Sequence, residues 1–273
     1  MPGPQEIAPK QLFRLIGTPD APIIVELRID EDFDADPRMI PGAVRHSHKD
    51  IDGLLARLPD SARVVALCHK GRKISQGTAA LLRNAGHAVE TLEGGQVAWT
   101  DQGMTTVRFP HDLPRDAEGA TRWVTRHRPK IDRIACPWLI RRFIDPRAKF
   151  LFVPPGDVED VADRFDAIPF DIEGVRFSHR GQNCTFDTIL EEFSLQAEAL
   201  DTLAQVVRGA DTNSHDLAPQ AAGLLAISVG LSRLFSDDLE QLRAGMTLYD
   251  ALFRWARDGQ GEGHDWPASS VRS

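Results

Sequence analysis

The run Cys68-His69-Lys70-Gly71-Arg72-Lys73-Ile74-Ser75 crowds one thiol, one imidazole and three cationic side chains around a glycine. The thiolate is the reactive form of cysteine, and neighbouring lysine and arginine lower a thiol pKa while attracting anions. The run therefore predicts an accessible, nucleophilic cysteine that meets an anionic or sulfur-containing substrate. A second group lies in His179-Arg180-Gly181-Gln182-Asn183-Cys184-Thr185-Phe186-Asp187, which holds an imidazole, a thiol and a carboxylate on a glycine loop. Imidazole and thiolate suit a borderline-soft cation such as zinc. His179, Cys184, Cys136 and Asp187 make up the candidate ligand set, with Asp211 and His215 as further donors. The spacing is not a recognised zinc pattern, so unrelated polar residues are the competing reading. Cys136-Pro137 reads as a thiol at a helix start, because proline suits the first helical turn.

The elements that must position these groups follow from periodicity. Arg63 to Leu67 is a short apolar run that reads as a buried strand, and Gln76 to Asn84 has helical spacing ended by Gly86. Cys68 thus sits where a strand hands over to a helix. Ligands bind beside the carboxyl ends of strands in open α/β sheets, and free amides at a helix N-terminus favour anions. Earlier in the chain, a short helix follows Pro9, and Ile23 to Arg28 reads as a central strand. The acidic cluster from Asp30 to Asp36 reads as a solvated loop or first helical turn. Ile40-Pro41-Gly42-Ala43-Val44 is a turn into a short strand, and Ile51 to Leu58 a helix. Ala88 to Leu92 is a further strand, Gly94-Gly95 a tight turn, and Gln96 to Gln102 a helix closed by Gly103. Alternation of this kind predicts a parallel α/β sheet over residues 5–105.

Pro110, Pro114 and Gly119 mark residues 106–120 as a linker. Beyond it the texture changes to a helix-rich α+β module over residues 121–258. Trp123 to Arg126 and Phe150 to Val153 read as strands, and Ile134 to Ile144 as an amphipathic helix. Four helices follow: Phe186 to Phe193, Gln196 to Val207, Pro219 to Phe235 and Leu239 to Trp255. Leu217, Leu224, Leu225, Ile227, Val229 and Leu231 predict that the third is apolar all round and buried. Residues 259–273 read as a disordered tail.

The chain has 273 residues, a net charge of −8 and three cysteines, Cys68, Cys136 and Cys184. Three thiols in a chain of this length do not make a disulfide framework. The charge is uneven: residues 1–110 carry −1, residues 111–149 carry +5 and residues 150–273 carry −12. The acidic second half argues against nonspecific nucleic-acid binding. No stretch has the length of a membrane span, and the N-terminus has no secretory pattern, so a cytoplasmic location is expected.

The order of Ile23 to Arg28, Ile40-Pro41-Gly42-Ala43, Val64 to Leu67 before Cys68, and Leu92-Glu93-Gly94-Gly95 with Trp99 and Gly103 resembles a rhodanese domain. The resemblance implies that Cys68 takes sulfane sulfur from thiosulfate or a similar anionic donor and becomes a persulfide. The sulfur then passes to a thiol or to cyanide, and no cofactor is required. His69, Lys70, Gly71, Arg72, Lys73 and Ile74, together with Arg28, are the expected substrate-binding residues. The chain departs from many members at Lys73, Ile74 and Glu26, which bears on donor preference.

The run Pro129 to Ile140, with Phe143-Ile144-Asp145-Pro146, His179, Cys184-Thr185-Phe186-Asp187 and Val207-Arg208-Gly209-Ala210-Asp211, resembles the C-terminal domain of chromate-resistance proteins of the B type. That family includes chromate-responsive regulators with a DNA-binding portion ahead of this domain. A rhodanese-like module stands in its place here, which removes the reason to expect operator binding. The resemblance implies a link to chromate or oxidative stress, with chromate itself a possible ligand. The alternative function is a chromate or redox sensor whose Cys68 is modified without turnover.

Overall fold

The computed structural model describes residues 3–263. The first sheet contains β1 (Glu6–Ile7), β2 (Ile23–Glu26), β3 (Ala43–Arg45), β4 (Arg63–Leu67) and β5 (Ala88–Leu92). All neighbours are parallel, in the order β1-β5-β4-β2-β3. Parallel strands are buried on both faces and need crossover helices. These are α1 (Pro9–Leu15), α2 (Asp30–Ala35), α3 (Ile51–Leu55), α4 (Lys73–Asn84) and α5 (Gly95–Asp101). The two-residue period of β4 divides its side chains between two cores. Val65 and Leu67 join Leu12 and Trp99, whereas Val64 and Ala66 join Ala79 and Leu82 beneath α4.

The second sheet has three parallel strands in the order β7-β6-β8, formed by β6 (Arg122–Arg126), β7 (Lys149–Val153) and β8 (Ile168–Pro169). Val124 faces α7 (Val158–Phe165), and Trp123 faces the larger helical side. That side is built from α6 (Asp132–Leu139), α8 (Thr185–Glu192), α9 (Glu198–Asp211), α10 (Ala221–Leu234) and α11 (Asp238–Arg254). The parallel α/β first half and helix-rich second half agree with the expected fold class.

Residues 106–120 pack closely against both halves. Val107 is buried and pairs with Met39 through two backbone hydrogen bonds of 2.9 Å, and the Arg108 amide donates to Phe193 O. The apolar core runs without a break from Leu12 and Trp99 through Val107 to Trp123 and Phe253.

Two local expectations are corrected. Helix α10 is not buried all round: Ile227 is 49% exposed and Leu234 73%, while Ala221, Leu224, Ser228 and Ser232 form its inward strip. Its neighbours α9 and α11 cover one side only, so helical spacing leaves the remaining apolar positions outside. Cys136 does not begin a helix either. Helix α6 starts at Asp132, so Pro137 lies inside it, and the helix widens into a π-turn over Ile140–Ile144. Proline cannot donate to the carbonyl one turn back, so the Arg133 carbonyl loses its helical partner. Of the expected tail, residues 264–273 lie outside the described residues. No helix among the described residues is long and apolar enough to cross a membrane.

Candidate functional site

Cys68 follows the last residue of β4, at the carboxyl edge of the parallel sheet. Its loop is held from behind by the first turn of α5. The Gln96 amide donates to Cys68 O and the Val97 amide to His69 O, each at 3.0 Å. Gly71 and Gly95 have φ of +65° and +62° and stand back to back. A Cβ on Gly95 would lie 2.2 Å from Cys68 O and 2.4 Å from the Gly71 nitrogen, so only glycine permits this approach.

With its carbonyls held by α5, the loop has unengaged amides. Among the described residues, the backbone N–H groups from His69 to Ser75 donate no hydrogen bond within the fold. Lys70, Arg72 and Lys73 are exposed and make no ion pair among the described residues. Free amides and unpaired cations next to one thiol are the groups that binding an anion requires. Cys68 itself is 5% exposed, less open than the cationic loop predicts, and its Sγ lies 3.3 Å from Ser75 Oγ. The side chain follows the β4 period toward α4, which accounts for the burial.

Arg28 is committed elsewhere. Its Nε donates to Glu26 Oε2, Nη1 to Asp36 O and Nη2 to Arg38 O, at 2.7–2.8 Å. The buried Glu26–Arg28 pair fixes the segment at Asp36 to Arg38, to which Gln96 Nε2 also donates, at Arg38 O. Arg28 therefore shapes the wall near the loop, with no guanidinium nitrogen free of these partners.

The second half brings together two of the expected donors, His179 and Asp211, with Asp132 in place of the cysteines. His179 Nε2 lies 3.1 Å from Asp211 Oδ2 and 3.6 Å from both Asp132 Oδ2 and Asp171 Oδ1. Asp132 opens α6, Asp211 ends α9, and His179 lies on the loop before α8, so three separate elements converge. The Thr185 amide, in the first turn of α8, donates to Asp132 Oδ2 at 2.6 Å, and Thr185 Oγ1 donates to Asp171 Oδ1 at 3.0 Å. Asp171 Oδ2 also receives Arg126 and Arg133, each at 3.2 Å.

Electrostatics separate these acids. Contact with Asp171, with Asp132 and Asp211 adding, pushes the His179 pKa up to about 9 against the opposing effect of burial. Burial, then the charges of Asp211 and Asp171, raises Asp132 well above the usual carboxylate range, and Asp211 is raised by burial and Asp171. For Asp171 burial acts upward, but His179, Arg133, Thr185 and Arg126 hold it below that range.

The cysteines do not join the imidazole, which corrects the expected ligand set. Among the described residues, the one group of three or more donors that converges is Asp132, His179 and Asp211, with ligand atoms within 4.8 Å of one another. Cys136 and Cys184 are wholly buried, and burial first, then the Asp132 charge, pushes both thiols upward. Asp187 accepts from the Cys184 amide at 3.0 Å and from Arg208 Nη1 at 2.8 Å, so it caps α8. His215 lies in a separate short turn. Asp171 and Asp132 escaped the sequence reading, although an aspartate opening the apolar stretch Ile134 to Ile140 was a usable signal.

The architecture is thus a parallel α/β domain carrying a glycine-clamped cysteine loop, joined to a helix-rich domain with a buried acid–imidazole cluster. Residues 8–102 match the model of the rhodanese-like domain, and residues 123–256 match that of the ChrB C-terminal domain. The chain therefore carries a rhodanese-like domain followed by a ChrB C-terminal domain. It is similar to Protein ChrB of Cupriavidus metallidurans, with 38% identity over 147 residues. That match covers 53% of this chain and 43% of the relative, so the chain spans less than half of the relative's length. Among solved structures, a rhodanese-related protein from Thermoplasma volcanium is 18% identical, covering 38% of this chain and 97% of that one, with a TM-score of 0.32. A thiosulfate sulfurtransferase from Pseudomonas aeruginosa is 24% identical, covering 39% of this chain and 20% of that one, with a TM-score of 0.33.

Proposed function

We propose that the chain is a sulfurtransferase that carries sulfane sulfur as a persulfide on Cys68, in a setting linked to chromate or oxidative-stress resistance. The observation that supports this reading is the loop from His69 to Ser75, which follows the thiol directly and whose amide groups are free of partners among the described residues. Convergent amides and cations stabilise a negatively charged sulfur at the end of a two-atom arm.

In the first half-reaction, the Cys68 thiolate attacks the outer sulfur of thiosulfate. An S–S bond to Cys68 forms as the sulfur–sulfur bond of the donor breaks, and sulfite leaves with the bonding pair. In the second, cyanide or a thiolate attacks the outer persulfide sulfur, giving thiocyanate or an acceptor persulfide and restoring the Cys68 thiolate. Lys70, Arg72 and Lys73 bring the anionic donor to the loop, His69 and Ile74 border it, and Gly71 permits its turn. No cofactor takes part in this exchange, and the reaction suits a cytoplasmic enzyme. The relation of the second half to Protein ChrB supports the link to chromate.

Steady-state transfer from thiosulfate to cyanide tests the reading. Wild type is expected to turn over repeatedly and to gain one sulfur atom on Cys68 by mass spectrometry, and Cys68→Ser to do neither. Stoichiometric modification of Cys68 without turnover would replace the transferase by a sensor. Transfer by Cys68→Ser at the wild-type rate would remove the reading altogether.

A further inference from the structure

We propose that Asp132, His179 and Asp211 form a mononuclear site for a divalent transition-metal cation, separate from Cys68 and its chemistry. The ligand atoms are one imidazole nitrogen and two carboxylate oxygens, brought together from the start of α6, the loop before α8 and the end of α9. Their separations suit a cation. Metal–ligand bonds of about 2.0–2.2 Å place two ligand atoms roughly 3.0 Å apart at a right angle and roughly 3.4 Å apart at a tetrahedral angle. His179 Nε2 stands 3.1 Å from Asp211 Oδ2 and 3.6 Å from Asp132 Oδ2.

A second, independent observation comes from Asp132. Its carboxylate is wholly buried, and its Oδ1 has no hydrogen-bond partner among the described residues. A buried carboxylate oxygen without a donor is costly, and a cation held jointly with His179 and Asp211 would remove that cost. Charge points the same way. Arg126 and Arg133 pair with Asp171, whereas the carboxylates of Asp132 and Asp211 pair with no arginine or lysine among the described residues.

The surroundings have the features of a supported metal site. The Thr185 amide orients Asp132, and Thr185 Oγ1 holds Asp171 beside the ligands, so an outer layer of hydrogen bonds is in place. His179, with 41% of its side chain exposed, lines an open cleft with Arg126, Asp171, Glu173 and Ser178. The cleft supplies an entry path and room for the coordination positions that three protein ligands leave vacant. One nitrogen and two oxygens without sulfur favour Mn2+, Fe2+ or Zn2+ over a thiophilic ion such as Cu+.

Mn2+ is the probe of choice because it has little affinity for the three thiols. The full chain, stripped with a chelator, is dialysed against Mn2+, and bound metal is read by elemental analysis and by electron paramagnetic resonance. Wild type is expected to hold roughly one ion per chain and to melt at a higher temperature with Mn2+ than without it. Asp211→Asn and His179→Gln should each weaken binding about tenfold or more and lose that rise. A double variant with Cys136→Ala and Cys184→Ala should keep both properties. His179 is partly exposed, so His179→Gln is expected to fold even where Asp211→Asn does not, and circular dichroism checks each variant. Failure of folded wild type to bind Mn2+ at millimolar concentration would overturn the proposal. So would unchanged affinity in folded His179→Gln and Asp211→Asn, or loss of the ion in the folded cysteine variant. None of these readouts depends on sulfur transfer.

Discussion

Gly95 has no space for a side chain, because the Cys68 and Gly71 backbones already occupy it. Gly95→Ala must move one of them or abandon its positive φ, at a cost of about 2–4 kcal/mol. Such a variant should melt at a lower temperature and, on the proposed function, transfer sulfur about tenfold more slowly, since the loop backbone would shift. An unchanged melting temperature and rate would contradict the clamped loop. Arg28 makes the opposite kind of residue. Removing its guanidinium leaves Glu26 buried and unpaired, which costs about 3–5 kcal/mol. Arg28→Leu is therefore expected to lose stability in a denaturant titration, and stability equal to wild type would count against the pair. The resemblance that makes Arg28 an expected substrate contact carries no information about which partners take up its five N–H groups.

At the scale of elements, the loop carrying His179 is tied to α8. Glu192 receives Arg176 Nε at 2.7 Å and also binds Arg180, on the two sides of His179. Burial acts upward on Glu192, but Arg180 and Arg176 bring its pKa below the ordinary 4.5. A carboxylate lowered on folding contributes stability above pH 4.5 and loses it as pH falls through the lower folded value. Glu192→Gln should therefore melt below wild type at pH 7, and the gap should close on acidification below about pH 4.5. A gap that persisted at low pH would assign the loss to packing instead. Helix α10 shows the limit of periodicity: apolar spacing predicted burial on all sides, but only tertiary neighbours could say which strip is covered. Helix α6 shows another, since Pro137 marked a helix start in the sequence and lies inside the helix in the fold.

Across the whole molecule, the two halves share an apolar junction. Gly17 packs against Phe143 and Phe253, with an added Cβ at 2.4 Å and 2.6 Å from their rings, and its φ is +78°. Arg257 Nη1 donates to Arg14 O at 3.0 Å, and the Gly42 amide to Phe143 O at 2.8 Å. Residues 106–120 are bound into this junction, so the halves should not unfold independently. Hydrogen exchange with mass spectrometry during denaturation is expected to show one midpoint for peptides from both halves. Gly17→Ala should lower that midpoint for both together, by about 2–4 kcal/mol of stability. Two separate midpoints in wild type would contradict a shared core.

Local pattern determined much of this protein. The β-branched runs and helical spacings of the first hundred residues specify the alternating elements, and the motif from Cys68 to Ser75 places a thiol at a strand-to-helix handover. Glycines at positions 71, 94 and 95 permit the positive φ that the loop and the turn adopt. The tertiary structure decided whatever depends on contacts between distant segments. It spent Arg28 on Glu26, turned Cys68 under its loop, and around His179 kept Asp211 of the expected donors but put Asp132, 47 positions away, in place of the cysteines. Helix and strand periods are fixed by bonds within a few residues, whereas ligand convergence is fixed by how helices pack, and that is not written at any local spacing.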